Sequence, residues 1–113
     1  MDITHAAVAI IPCCDLDASQ AFYEQLGFEA TSNFEAHGYR ILHDPRGASV
    51  HLTRVAPDWL DRERNAHGVY YYAENVEALA ARLGRSVQTM PWGMREFAVS
   101  DPDGTLVRVG WPA

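Results

Sequence analysis

Residues 91–104, PWGMREFAVSDPDG, set an arginine and a glutamate side by side in a strand-like run that opens on Trp-Gly and closes on a tight-turn signal. Strand alternation puts Trp92, Met94, Glu96 and Ala98 on one face and Gly93, Arg95, Phe97 and Val99 on the other. Each face carries one charge among apolar groups, whereas a plain solvent face would be more polar. One charge therefore belongs in or beside a cleft and the other in an interface or helix contact. Glu96, on the Trp92 face, is the better cleft group. The competing reading has Arg95 or Glu96 only tying the hairpin to a neighbour. The chemistry on offer is recognition: flat aromatic faces stack on planar ligands and attract cations. Gly93 would let backbone or ligand approach closely.

The wider aromatic complement fits the same chemistry, with Phe34, Tyr39, Trp59, Tyr70, Tyr71, Tyr72, Trp92, Phe97 and Trp111. Tyr70, Tyr71 and Tyr72 are consecutive, so in a strand Tyr71 faces away from the other two. Phe34 and Tyr39 flank neighbouring strands and form either the mouth of a site or core. Trp59 lies in a polar stretch, closing over a cleft or packing at a dimer interface. Covalent chemistry has weaker candidates. Cys13 and Cys14 are adjacent, which makes a strained bridge at best, so two free thiols are expected. Neither has an activating partner nearby in sequence, and no zinc spacing is present.

The elements that must position these groups come from an internal repeat. DLDASQAFYEQLGF reads as a helix with Asp15 as cap, Leu16, Ala18, Phe22 and Leu26 as apolar stripe and Gly27 as stop. NVEALAARLGR repeats the pattern with Asn75, then Val76, Leu79, Ala80 and Leu83, then Gly84. An apolar strand precedes each helix, HAAVAIIP and HGVYYYA, and an Asp-Pro-x-Gly turn follows each, at 44–47 and 101–104. Cap-to-turn spacing is 29 residues in the first half and 26 in the second; cap-to-stop spacing is 12 and 9. The same three-residue difference means that one half lacks about a helical turn and otherwise keeps its length. The order is strand–helix–strand–strand–strand twice. The chain is read as one domain, with repeat one at about 3–55, a polar connector at about 56–66 and repeat two at about 67–112.

The chain has 113 residues, 48% hydrophobic and 21% charged, with net charge −6. That composition is globular. An acidic balance argues against phosphate-backbone binding, so no nucleic-acid partner is expected. No signal-like leader and no long apolar run point to a membrane, and a cytoplasmic location is expected.

The paired βαβββ units, DLDASQAFYEQLGFE after a first strand and PWGMREFAVSDPDGTLVRV resemble the vicinal oxygen chelate superfamily, which joins glyoxalases, bleomycin resistance proteins and dioxygenases. Within it they look most like the bleomycin-resistance proteins, over nearly the whole chain. The resemblance implies an α+β fold in which the two repeats form an open cup of mixed β-sheet. Superfamily enzymes, such as glyoxalase I, fosfomycin-modifying transferases and extradiol dioxygenases, hold a divalent metal in the cup on the first and last strands of each half. Carried onto this repeat, those positions hold Val8, His51, Gly68 and Arg108. Val and Gly side chains cannot ligate, and Arg108 has no lone pair to give. A catalytic metal wants about three protein ligands. His67 and His5 stand on the wrong strand parity, and only a β-bulge would rescue His67. No metal, no cofactor and no catalytic residue are therefore expected.

Bleomycin-resistance proteins sequester the drug in a cleft between two subunits. The resemblance thus implies a homodimer that binds a partly aromatic, cationic antibiotic-like small molecule, a bleomycin-type glycopeptide being the named version. It places Trp92 in the aromatic wall. His51 and Arg108 are expected to point inward, with Arg108 pairing either with a ligand anion or with an acid such as Glu96. The expected ligand-binding set is Trp92, Gly93, Glu96, Phe34, Tyr39, His51, Trp59 and Arg108. The alternative is a metal-dependent lyase or dioxygenase with an atypical set such as His51, His67 and Glu96.

Overall fold

Short-range signals start and stop the elements. In the computed structural model, which describes residues 5–113, the Asp15 carboxylate accepts from the backbone N–H of Asp17 and Ala18 at 2.9 and 3.2 Å, capping a helix over Leu16–Glu24 (α1). Gly27 and Gly84 take positive φ, +100° and +67°, just past α1 and the second helix, Val76–Arg82 (α2). Beyond them, Phe28 N–H donates to Tyr23 O and Arg85 N–H to Ala80 O, the same closing bond at both helix ends. Asn75 departs from expectation. Its side chain caps nothing and instead accepts from Arg46 at 3.3 Å.

The first half adds strands Ala9–Cys13 (β1), Glu29–Phe34 (β2), Tyr39–His43 (β3) and Ser49–Arg54 (β4). The second adds Gly68–Tyr72 (β5), Gln88–Thr89 (β6), Met94–Ser100 (β7) and Leu106–Pro112 (β8). Each half makes a mixed four-stranded sheet, ordered β1-β4-β3-β2 and β5-β8-β7-β6. The first strand of each half runs parallel to the last, and the other pairings are antiparallel. The fold is α+β, two βαβββ repeats forming an open cup. Both Asp-Pro-x-Gly segments turn through a bond from the glycine N–H to the aspartate carbonyl, 2.9 Å at Gly47 and 3.0 Å at Gly104.

Alternation sorts the side chains. Ile11, Cys13, Leu42, Val50 and Leu52 in one sheet, and Tyr71, Phe97, Val99, Val107 and Val109 in the other, are buried toward the helices in one continuous core. Ile10, Tyr39 and His51 in the first sheet, and Tyr70, Glu96 and Arg108 in the second, project from the opposite, concave faces.

The buried stripe of α1 differs from the expected one. Leu16, Ser19, Tyr23 and Leu26 are buried, Phe22 is half-buried and Ala18 is exposed. The reason lies in the other half of the chain. Tyr23 Oη donates to the buried Asp101 carboxylate at 2.9 Å, and Ser19 Oγ to Asp103 at 3.4 Å. Two hydroxyls thus occupy positions that a one-helix reading gives to apolar side chains. Burial pushes the Asp101 carboxyl up, opposed by the Tyr23 bond and by the backbone N–H of Thr105 and Asp103. Phe28 meets Tyr71 across the halves with ring centroids 5.0 Å apart. The connector is tied down as well. Arg62 donates to the carbonyls of Asp101 and Pro102, and Asn65 to Asp103 O and Thr105 Oγ1.

Candidate functional site

The concave face of the second half is organised around Glu96. The residue is 3% exposed, and its carboxylate takes three side-chain donors. Tyr70 Oη donates to Oε2 at 2.7 Å and Trp92 Nε1 to the same oxygen at 3.2 Å, while the Arg108 guanidinium donates to Oε1 at 3.0 Å. The Tyr70 bond holds this carboxyl below the usual glutamate range against the opposing effect of burial, with Trp92 and Arg108 adding to it. Burial and the bond to Glu96 push the Tyr70 phenol up to about 12.

Strand order explains how these groups meet. Tyr70 is on β5 and Glu96 on β7, with β8 between them. Tyr70 pairs with Arg108, and Glu96 pairs with Gly110. The phenol crosses β8 at Gly110, where a Cβ would run into its hydroxyl and lie 3.1 Å from Glu96 Cβ. Gly110 is thus the gap through which Tyr70 reaches the acid. Trp92 reaches back from the β6–β7 turn, which Gly93 closes at φ +82° with its N–H on Met90 O at 3.0 Å. Trp92 is 59% exposed, yet its indole N–H is anchored, so its ring is a presented wall. Arg95, next to Glu96, faces the other way and pairs with Glu77 of α2.

The first half has a matching pair. Counted from the turn aspartates, Tyr39 holds the place of Glu96, five residues before, and His51 that of Arg108, seven residues after. Tyr39 Oη lies 2.6 Å from His51 Nδ1, with the rings edge to face at 5.3 Å. Phe34 pairs with Tyr39 at the end of β2 and is half exposed. A tyrosine–histidine hydrogen bond in one half thus stands where the other has an ion pair.

The expected site residues fall into three groups. Glu96, Trp92 and Arg108 are joined directly, with Gly93 in the turn beside them. His51, Tyr39 and Phe34 form their own cluster on the other sheet. Trp59, in a 3-10 turn over Pro57–Trp59, is exposed, and its side chain makes no hydrogen bond among the described residues. Register adds two neighbours. The residues directly beside His51 and Arg108 are Ile10 and Tyr70, two places beyond Val8 and Gly68 on the same faces. Sequence reasoning missed Tyr70 as a partner of Glu96, and the role of Gly110.

The donor set does not fit a divalent metal. His51 is bound to Tyr39, and His67 Nδ1 to Asn65 Oδ1 at 2.8 Å in the connector. Both oxygens of Glu96 are already engaged, by three donors. Among the described residues, no three His, Cys, Asp or Glu side chains gather as such a site needs. Cys13 is buried and Cys14 half-buried. Burial raises both thiols, Cys13 to about 11, which makes them poor nucleophiles.

Duplicated βαβββ halves with open concave faces define the class of fold. The chain belongs to the Glyoxalase/Bleomycin resistance protein/Dioxygenase superfamily, whose family model matches residues 2–109. Among solved structures it is similar to a bleomycin-binding protein complexed with bleomycin, at 22% identity and TM-score 0.82, covering 97% of this chain and 100% of that one. A bleomycin resistance determinant encoded on the transposon Tn5 is similar at 23% identity and TM-score 0.83, covering 96% and 98%. A bleomycin-binding protein from bleomycin-producing Streptomyces verticillus, complexed with copper(II)-bleomycin, is similar at 21% identity and TM-score 0.72, covering 96% and 97%. At these identities the likeness shows the fold alone. A search of curated protein sequences finds no match. No helix among the described residues is long and apolar enough to cross a membrane.

Proposed function

We propose that this chain is a non-catalytic small-molecule binding protein of the bleomycin-resistance type. It sequesters a partly aromatic, cationic antibiotic-like ligand in a cleft completed by a second copy. The observation that carries this reading is the anchored yet exposed Trp92, held at the rim of a concave face by Glu96. An exposed ring without such a tether would collapse onto the surface or move freely; this one is pre-positioned for stacking. The net charge of −6 favours a cationic partner through the long-range field. Two free thiols suit a cytoplasmic location.

Shape and surface support a homodimer. The chain is broad and flat, 42 × 38 × 23 Å, and exposes 7088 Å². A compact monomer of this size exposes about 6,200 Å². The excess of about 900 Å² is close to the roughly 800 Å² that each partner gives to a standard interface. Exposed Ile10, Tyr72 and Leu106, on or beside edge strands β1 and β5, supply apolar area for it. In such a dimer, the Phe34–Tyr39–His51 face of one protomer would oppose the Trp92–Glu96–Arg108 face of its partner.

The test is titration with a bleomycin-type drug, metal-free and copper-loaded, followed by tryptophan fluorescence, with molar mass from sedimentation equilibrium. Saturable quenching by a dimer, weakened at least tenfold in Trp92→Ala, is the expected result. A monomer, or quenching that Trp92→Ala leaves unchanged, would overturn the proposal.

A further inference from the structure

A groove of about 250 Å³ lies beside the Glu96 cluster, between the loop after α2 and the concave face of β7 and β8. Two arginines line it, Arg85 and Arg108. The remaining lining is neutral, including Ser86, Gln88 and Met90, apart from Glu96. Glu96 is already matched by Arg108 at 3.0 Å. The groove therefore carries a surplus positive charge on a chain whose net charge is −6.

Arg85 is unusual in two independent ways. All nine basic residues of the chain are arginines. Among the described residues, every other one holds an ion pair or a side-chain hydrogen bond, and Arg85 holds neither. It also breaks the repeat. The residue after the left-handed glycine of the first half is Phe28, 3% exposed and packed in the core. The equivalent residue of the second half is Arg85, with the same backbone bond but its side chain at the groove. A helix end that elsewhere buries a phenylalanine here presents an unpaired guanidinium. Arg108 is suited to work with it. Its side chain is 43% exposed, and one bond to Glu96 orients it while leaving further N–H donors unused.

We propose that Arg85 and Arg108 together form an oxyanion subsite that takes the carboxylate or phosphate group of a small ligand. Two planar guanidinium forks match either group with paired, charge-assisted hydrogen bonds. Glu96 acts as the positioning residue that aims Arg108. Trp92, tied to the same acid, offers its ring to an aryl group attached to the anion. The subsite goes beyond the drug-sequestration reading, because it asks for an anionic end rather than a cationic one.

The test titrates the protein with benzoate and, separately, with inorganic phosphate, at constant ionic strength set by sodium chloride. Binding is read from amide and arginine Nε–H shifts in NMR spectra. Saturable shifts centred on Arg85 and Arg108 are expected, with affinity falling about tenfold in Arg85→Gln. Arg64→Gln, which removes the same charge from the connector, should leave affinity unchanged. Saturation by benzoate alone assigns a carboxylate ligand, and by phosphate alone a phosphoryl ligand. Absence of saturation by both, or equal losses in Arg85→Gln and Arg64→Gln, overturns the subsite. Neither result depends on bleomycin binding, so the two readings fail separately.

Discussion

Replacing Tyr70 by phenylalanine removes one donor from the carboxylate of Glu96, a residue 3% exposed, and leaves the ring in place. A hydrogen bond to a charged group contributes about 1.5–3 kcal/mol. The side chain of Arg108 beside it is 43% exposed, so water can reach the cluster and replace part of the lost bond. The expected cost at neutral pH is therefore at the low end, about 1.5 kcal/mol, or roughly 5–10 °C in Tm for a domain of this size. The pH dependence follows from the lowered Glu96 carboxyl. Its stabilisation is complete above the ordinary value of 4.5 and is lost as pH falls through the lower value of the folded state. The Tyr70→Phe penalty should accordingly be larger at pH 7 than at about pH 3. Urea denaturation followed by circular dichroism measures both, and a double-mutant cycle with Glu96→Gln should return a coupling of about 1 kcal/mol. A penalty within about 0.5 kcal/mol of zero at pH 7, or one of equal size at both pH values, would refute the claim that the phenol holds the acid.

Other consequences are as direct. Gly110→Ala blocks the path of Tyr70 across β8 and should cost about 1–3 kcal/mol by chemical denaturation, and clearly less in a Tyr70→Phe background. In a spectrophotometric titration, Tyr70 should stay protonated to about pH 12 and titrate earlier in Glu96→Gln. Because its pKa is raised on folding, its contribution is complete below the unfolded phenol value near 10 and is lost as pH rises toward about 12. Tyr23→Phe takes a donor from the buried Asp101 and should lower stability by about 1–3 kcal/mol, seen as a lower melting temperature by calorimetry. Arg95→Gln breaks a pair with Glu77, itself largely exposed, so it should cost under about 1 kcal/mol by denaturation and leave ligand titrations unchanged.

Much of the frame was legible in the sequence because its signals are local. The Asp15 cap, the left-handed glycines at 27 and 84 and the two Asp-Pro-x-Gly turns each act within a few residues. Strand alternation likewise set Tyr71 against Tyr70 and Tyr72, and Arg95 against Glu96. Alternation alone could not say which face turns inward, because that depends on where a helix packs. Only α2, lying over the Arg95 face with Glu77, decided it. The tertiary structure also supplied what no local pattern contains. Tyr23 and Asp101 are 78 residues apart, and their bond explains why a tyrosine and a serine lie in the buried stripe of α1. The parallel pairing of first and last strands placed Ile10 and Tyr70 directly beside His51 and Arg108. Sequence counting locates a residue along its own strand, while the offset between two strands is set by packing across the sheet. The repeat declared the two concave faces equivalent. The side chains that fill them, an ion pair in one and a tyrosine–histidine bond in the other, acquired partners only through folding.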